Sequence, residues 1–176
     1  EESWIKTPWI NEIDMNRIAK MARANQPGIL IVDRSVYGEY QNYLTPEQQI
    51  PSSPLPYPWE TCMTMANSWS YVPGDDYKST HELIHLLCKV VSRGGNFLLN
   101  IGPSPEGDWD SIAYTRLNEI GDWMKVNSEC IYETEPFAPY EDGKIVFTAK
   151  NKKLVYAICL SDQNGSLPAD IAFSWN

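Results

Sequence analysis

Two kinds of hydrophobic pattern alternate along this chain. Short apolar runs predict strands that are buried on both faces, as in a parallel sheet, and they cover residues 29–32, 59–65 and 97–101. Apolar residues spaced three or four positions apart predict amphipathic helices at 11–24, 80–93 and 110–127. Because strand and helix alternate, the pattern indicates right-handed βα units and an α/β fold with a parallel sheet.

The helix predicted at 80–93 carries signals at both of its ends. Ser79 and Glu82 have the spacing of a capping box, and Gly94-Gly95 marks the C-terminal end. One face of this helix is apolar, and the opposite face holds His81, His85, Cys88 and Ser92. We therefore expect the apolar face to pack on the sheet and the histidines to face solvent.

Two segments depart from this alternation. Residues 35–58 contain five of the thirteen prolines and no convincing periodicity, so we expect a long loop of the kind that is often functional. After Pro136, residues 144–150 and 154–160 alternate around an Asn151-Lys152 turn, which predicts an antiparallel hairpin. We expect a domain boundary here, with the α/β domain at 1–136 and the start of a truncated β-sandwich at 137–176.

Composition and charge narrow the class of protein. Hydrophobic residues make up 43% and charged residues 21%, which is a globular balance. A net charge of −9 repels phosphate backbones and argues against nucleic acid as a partner. No apolar run reaches the roughly 18 residues of a membrane span. The four cysteines lack metal-site spacing, and Cys62, Cys88 and Cys159 fit small core positions.

Polar side chains stand where the predicted parallel strands end. Asp33-Arg34 follows the first strand, Glu47 lies in the loop beyond it, and Asn100 stands near the end of the third. Active sites of parallel α/β folds lie at this edge, and glycoside hydrolysis uses two carboxylates that flank the scissile bond. Glu47 is therefore a candidate acid, although the local sequence by itself favours an ordinary solvated glutamate.

Five fragments carry a family resemblance. In chain order they are Asp33-Arg34, Thr45-Pro46-Glu47, Trp59-Glu60, Ser68-Trp69-Ser70-Tyr71 and the run from Gly95 to Pro103. Their types and order resemble the α-L-fucosidases of glycoside hydrolase family 29, over about residues 9–137. Each fragment is weak alone, but five in the same order are specific. Ser70 departs from the pattern, since the family commonly has Gly there, and this affects the turn that holds Trp69.

The resemblance leads us to expect functional roles for four residues and a structural role for a fifth. Glu47 is the expected general acid/base, which protonates the leaving glycosidic oxygen and then activates water. Arg34 is expected to bind fucose hydroxyls or to steady the nucleophilic carboxylate, and Trp69 to pack against the apolar face of fucose. Glu60 is grouped with the substrate-binding residues, either as a buried and paired side chain or as the rival for the acid role. Asn100 is expected to be structural.

The resemblance also implies an exo-acting, retaining enzyme that removes terminal α-L-fucose from glycans without a metal or an organic cofactor. A complete (β/α)8 barrel needs about 250 residues, so the expected fold is the C-terminal half of such a barrel followed by the β-sandwich. The resemblance implies a nucleophilic Asp on a preceding strand, upstream of Glu1. Asp14 does not easily replace it, because Asp14 lies in a helical pattern away from a strand end. The chain is thus expected to be inactive without the N-terminal half of a secreted, periplasmic or lysosomal protein, which the Asn164 sequon also fits.

Two other functions fit parts of the sequence. His81-Glu82-Leu83-Ile84-His85 matches the H-E-x-x-H motif of zinc metallopeptidases, with Glu106 or Glu119 as a candidate third ligand. The resemblance favours a pair of solvated helix histidines instead. Seven Trp and ten Tyr residues offer flat faces to sugars and would also suit a non-catalytic carbohydrate-binding module, although core packing explains most of them better.

Overall fold

The computed structural model describes residues 13–32, 34, 38–162 and 164–167. Three α-helices lie in this part of the chain, at Met15–Asn25 (α1), Thr80–Ser92 (α2) and Ser111–Asn127 (α3). Two parallel strands, Trp59–Thr64 (β1) and Gly95–Asn100 (β2), form one sheet. Glu135–Asp142 (β3), Ile145–Lys150 (β4) and Leu154–Cys159 (β5) form an antiparallel sheet. The mixed α/β architecture is confirmed, and the barrel itself stays a prediction.

The β1–α2–β2 unit confirms the expected strand–helix alternation. The two strands pair in register from Trp59 opposite Gly95 to Thr64 opposite Asn100. Glycine is required at position 95, because a Cβ atom there would lie only 2.4–2.5 Å from ring atoms of the buried Trp59 indole. The indole Nε1 in turn donates a 3.1 Å hydrogen bond to the carbonyl of Arg93. The glycine thus lets the large ring pack flat over the start of β2.

The segment before β1 differs from the prediction. No regular strand forms at 29–32, where Leu30 is 70% exposed and only Val32 pairs, through a parallel bridge to Tyr43. A parallel strand is stable when both of its edges are paired and its faces are covered, and among the described residues this one has a single bridge. The prediction of a strand buried on both faces is therefore wrong here.

The expected loop at 35–58 contains a strand-like stretch that was not predicted, because its prolines argued against a strand. Residues 43–48 run parallel to β1, with bridges from Leu44 to Trp59 and from Glu47 to Cys62. Three backbone hydrogen bonds of 2.9–3.0 Å hold this stretch: Leu44 N to Pro58 O, Glu60 N to Leu44 O, and Gln48 N to Cys62 O. Parallel pairing therefore continues from Val32 through residues 43–48 to β1 and β2.

Both predicted ends of α2 are confirmed. The Ser79 hydroxyl accepts from the backbone N–H of Glu82 at 3.1 Å, and the Glu82 carboxylate accepts from the Ser79 N–H at 2.8 Å. These reciprocal bonds are the capping box. The helix ends at Ser92 with Arg93 as its C-cap. Gly94 follows with a φ of 75°, the left-handed conformation that glycine adopts without a steric penalty.

The polar face of α2 is covered, although its histidines were expected to face solvent. Cys88 is fully buried, as expected of a small core residue, and Ser92 is buried too, because the antiparallel sheet packs on this face. Cys88 belongs to a hydrophobic cluster with Ile131, Val146 and Leu160. Further along, His81 Nε2 lies 2.9 Å from the carbonyl oxygen of Ser161, and both histidines are half-buried. The prediction of solvated histidines is therefore wrong.

The predicted hairpin is confirmed, with β4 and β5 paired from Ile145–Cys159 to Lys150–Leu154. Asn151 and Lys152, with φ of 54° and 55°, form the turn as expected. Strand β3 was not predicted. It contains Pro136 and Pro139 and has a register shift after Pro136, features that are tolerated because β3 is an edge strand. The boundary at 136–137 stays a prediction.

Helix α1 confirms the predicted helix over its described part. Asp14 is its N-cap and accepts a 2.9 Å hydrogen bond from the backbone N–H of Arg17. This capping contact agrees with the exclusion of Asp14 as a nucleophile. Within the described residues, none of the helices combines the length and the apolar character needed to cross a membrane.

Candidate active site

A cavity of about 830 Å³ opens beside the parallel strands. Alternate residues of these segments point into it, which follows from the two-residue period of extended chain. Three of the four predicted site residues, Arg34, Glu60 and Trp69, line it directly. Other residues that line it include Tyr43, Thr45, Cys62, Leu98, Asn100 and Trp109. The expectation that site residues converge from separate segments is met for these side chains.

Arg34 and Glu47 form an ion pair at this site. The Nη2 atom of Arg34 donates to Oε2 of Glu47 at 2.7 Å, and the two side chains are 21% and 33% exposed. The backbone of Glu47 is held beside β1 by a parallel bridge to Cys62, and the Cys62 side chain lines the cavity. The fourth predicted residue therefore contacts the cavity lining through Arg34. Asp33, which precedes Arg34 in the predicted Asp33-Arg34 fragment, lies outside the described residues.

Trp69 is presented to the cavity by a loop that the glycine-rich run holds in place. The Asn100 side chain donates from Nδ2 to the Trp69 carbonyl at 2.8 Å, and the Asn100 carbonyl accepts from Met65 N at 2.9 Å. A Cβ on Gly102 would collide with the backbone of Ser70 and Tyr71. Asn100 and Gly102 therefore act through the loop, as the structural role assigned to Asn100 requires. Trp69 itself is 41% exposed.

Asp75 organises the other side of the Trp69 loop. Its carboxylate accepts from the backbone N–H groups of Ser68 and Asp76, each at 2.9 Å. Partial burial pushes the pKa of Asp75 upward, but these hydrogen bonds outweigh that effect and leave the pKa below its usual range. Ser70, where the family commonly has glycine, therefore sits in a loop that is tied on both sides.

Glu60 differs from one of its two expected roles. Its side chain lines the cavity and is half-buried, but its carboxylate has no hydrogen bond or ion pair among the described residues. Within the described residues, Glu60 is therefore not the buried and paired side chain that was one of its expected roles. A carboxylate that faces a cavity is available to hydroxyl groups of a ligand, so Glu60 remains among the candidate binding residues.

Sequence reasoning missed Trp109, which lines the same cavity and is 37% exposed. Asp108 Oδ1 accepts from the Trp109 backbone N–H at 2.8 Å and from the Tyr114 hydroxyl at 2.5 Å. The hydrogen bond from Tyr114 is the main reason why the pKa of Asp108 lies below its usual range. The available signal was positional, because Trp109 follows the carboxyl end of β2.

The H-E-x-x-H segment gains no support as a zinc site. Glu82 is occupied at the helix cap, where it accepts from both the backbone and the hydroxyl of Ser79. Glu119 is bonded to Thr80 and Arg116, and Glu106 to Ser104. Across the residues that the structure describes, no group of three or more potential His, Cys, Asp or Glu ligands comes together.

The chain has clear relatives among known proteins. The family model described as Alpha-L-fucosidase matches residues 2–129. The plasma alpha-L-fucosidase of Homo sapiens is 40% identical over 126 residues, which is 67% of this chain and 27% of that protein. The solved structure of alpha-L-fucosidase isoenzyme 1 from Paenibacillus thiaminolyticus matches with a TM-score of 0.75 at 29% identity. This match covers 82% of this chain and 38% of that one.

A third match is the Thermotoga maritima alpha-fucosidase in complex with fucose, with a TM-score of 0.66 and 27% identity over 78% of this chain and 32% of that one. Together with the carboxylate, guanidinium and indole at one cavity, these matches define a glycoside hydrolase. The chain belongs to the alpha-L-fucosidase family. It spans less than a third of the length of the human plasma relative.

Proposed function

We propose that the full-length protein containing this chain is an exo-acting, retaining α-L-fucosidase that releases terminal α-L-fucose from fucosylated glycans. Family membership supports the activity. The observation that carries the mechanism is the Arg34–Glu47 ion pair beside a cavity lined by Trp69. In this proposal residues 1–136 are the C-terminal half of a (β/α)8 catalytic domain, and residues 137–176 begin an antiparallel β-sandwich.

Glu47 is the general acid/base in this mechanism. Its carboxyl group gives a proton to the leaving glycosidic oxygen in the first step and takes one from the attacking water in the second. The attack on the anomeric carbon requires a second carboxylate about 5–5.5 Å away, and we assign it to an Asp upstream of residue 1. Such a pair retains the configuration of the sugar.

The remaining side chains hold fucose. Arg34 donates hydrogen bonds to its hydroxyls or steadies the nucleophile, since a guanidinium presents several donors in a fixed plane. The Trp69 indole covers the apolar face and the methyl group of fucose. Glu60 accepts from a hydroxyl of the substrate. No metal and no organic cofactor takes part, because two carboxylates suffice for this displacement.

The first experiment compares hydrolysis of an aryl α-L-fucoside by the full-length wild type and by Glu47→Ala, with and without azide. Removing a general acid/base slows turnover by roughly 10²–10⁴. Azide needs no deprotonation, so it should restore turnover by attacking the fucosyl–enzyme bond in place of water. The product expected is α-L-fucosyl azide, because two successive inversions restore the starting configuration.

Other outcomes have definite meanings. Formation of the β-L-fucosyl azide would identify Glu47 as the nucleophile, because a single inversion produces that anomer. Failure of the wild type to hydrolyse any α-L-fucoside would overturn the proposed activity. A wild type that binds fucose but hydrolyses no fucoside, with binding unchanged by Glu47→Gln, would make the cavity a non-catalytic sugar site.

Two further parts of the proposal concern the whole protein. The isolated 176-residue chain should not turn over fucosides, since it would lack the nucleophile, and measured turnover by it would contradict this.

We also propose a secreted, periplasmic or lysosomal location. The human relative is a plasma alpha-L-fucosidase, which supports this location, as does the exposed sequon at Asn164. Loss of a glycan from the protein on Asn164→Gln, seen as a mass shift, tests this point.

A further inference from the structure

Two exposed tryptophans share one cavity, and the proposed function uses one of them. Trp69 is carried by the loop after β1, and Trp109 by the loop between β2 and α3. Both line the cavity of about 830 Å³, and they are 41% and 37% exposed. A single fucose occupies one indole at the acid/base. The second indole lines the same cavity and has no part in the proposed function.

Trp109 is fixed in place before any ligand binds. The Asp108 carboxylate holds its backbone N–H and the Tyr114 hydroxyl together, at 2.8 Å and 2.5 Å. The Tyr114 ring lies against the indole, with ring centres 5.5 Å apart and a 45° tilt. The turn beneath closes through Ser104 N to Asp108 O at 2.7 Å. A pre-ordered aromatic loses little conformational entropy on binding, which favours its use as a platform.

The charge around Trp109 indicates the class of ligand. Glu106, Asp108 and Asp110 stand in the same loop, so an anionic ligand would be repelled. A neutral pyranose ring has no such penalty, and its C–H face matches the flat indole.

We propose that Trp109 forms a second sugar-binding platform that takes the neutral sugar to which fucose is linked. This inference rests on the proposed fucosidase activity, and it adds a determinant of substrate preference that Trp69 does not supply. Trp69 contacts the fucose of every substrate, whereas Trp109 contacts only substrates that carry a sugar beyond the scissile bond. The two tryptophans should therefore respond differently to substrate length.

The test uses the full-length enzyme and its Trp109→Ala, Trp109→Phe, Trp69→Ala and Tyr132→Ala variants. The short substrate is α-L-fucosyl fluoride, because an aryl group could itself stack on Trp109. The long substrates are a panel of neutral fucosylated trisaccharides in several linkages. Tyr132 is a matched control, since it is 63% exposed and is not among the residues that line the cavity.

We expect Trp109→Ala to lower kcat/KM on the best trisaccharide roughly 2- to 10-fold, mainly through KM, since an aromatic contact contributes about 0.5–1.5 kcal/mol. Fucosyl fluoride hydrolysis should change less than about 2-fold, and Trp109→Phe should recover most of the loss. Trp69→Ala should impair both substrates, and Tyr132→Ala neither. These results would support the platform.

Three results would overturn it. Equal losses on the fluoride and the trisaccharide would make Trp109 a structural or fucose-contacting residue. No loss on the trisaccharide would remove it from substrate binding. A wild type that cleaves the fluoride but no member of the panel would show that no neutral sugar binds there. In all three cases fluoride hydrolysis by the wild type keeps the fucosidase proposal intact. A wild type that does not hydrolyse the fluoride would contradict both the fucosidase activity and the Trp109 platform.

Discussion

Arg34 donates a hydrogen bond of 2.7 Å from Nη2 to Oε2 of Glu47, and the two residues lie thirteen positions apart in segments without regular strand structure. Their meeting depends on the parallel bridge between Val32 and Tyr43, which brings the two segments side by side. The backbone of residues 43–48 is then held by β1. The ion pair is therefore a product of tertiary pairing, and Arg34 fixes where the Glu47 carboxylate stands.

Replacing Arg34 with lysine should keep the positive charge but lose the planar fork of donors. We expect kcat/KM for an aryl α-L-fucoside to fall roughly 10- to 100-fold in the full-length enzyme, which corresponds to one hydrogen bond to a charged group. Arg17→Lys on exposed α1 is the control and should have no effect. If Arg34→Lys costs no more than Arg17→Lys, Arg34 has no part in catalysis or binding.

Glu47 and Glu60 are distinguished by their dependence on the leaving group. Glu47→Gln should lower kcat/KM roughly 10²–10⁴-fold for fucosides with poor leaving groups, but much less for activated aryl fucosides, because good leaving groups need no proton in the first step. Glu60→Gln should lower kcat/KM by a similar factor for all leaving groups, as loss of a binding contact does. Plots of log kcat/KM against leaving-group pKa measure this. The reverse assignment of slopes would make Glu60 the acid.

Two glycines provide a test of the packing that positions β2. Gly95→Ala should destabilise the protein by about 3 kcal/mol, at the upper end of the usual overpacking cost, because the new methyl group would collide with the Trp59 ring. Gly121→Ala lies inside α3 with nothing within 4 Å of its Cβ position. It should stabilise the helix by up to about 1 kcal/mol. Urea unfolding of both variants checks the pair, and equal effects would contradict the Trp59 contact.

The parts of the fold that the sequence predicted correctly have local causes. The capping box at Ser79 and Glu82 needs only three residues of spacing, and the Asn151-Lys152 turn needs only two left-handed residues. Strands β1 and β2 are short apolar runs between clear signals. The motif residues Arg34, Trp69 and Glu60 also converge on one cavity, because parallel segments end at one edge of a sheet.

The parts that were missed depend on neighbours. Prolines obscured both residues 43–48 and β3, although these segments pair without needing the missing N–H groups. The helical stripe of α2 predicted a single buried face, but Ser92 on the opposite side is also fully buried, next to Cys88, which was expected in the core. Trp109 carries no motif. Its importance follows from its position in the cavity wall, which the pattern of the sequence does not encode.

His85 provides a pH-dependent test of the contact between α2 and the antiparallel sheet. Burial, with the nearby His81 and Lys89, holds the pKa of His85 below its ordinary value of 6.5. Between that lowered pKa and 6.5 the unfolded chain binds more protons than the folded one, so stability falls as the pH drops through this window. His85→Gln removes the effect. We therefore expect it to lose less stability than the wild type between pH 7.5 and 5.5.

The measurement is the urea midpoint of the wild type and of His85→Gln at pH 7.5, 6.5 and 5.5. At pH 7.5 His85 is neutral in both states, so the difference between the proteins there gives the packing effect of the substitution alone. The other charged groups that line the groove beside His85, including Lys78, Glu82, Glu141 and Lys144, are present in both proteins and cancel in the comparison. A pH dependence that stays the same after the substitution would mean that His85 titrates in the folded protein as it does in the unfolded chain. His85 would then contribute nothing to the loss of stability at low pH.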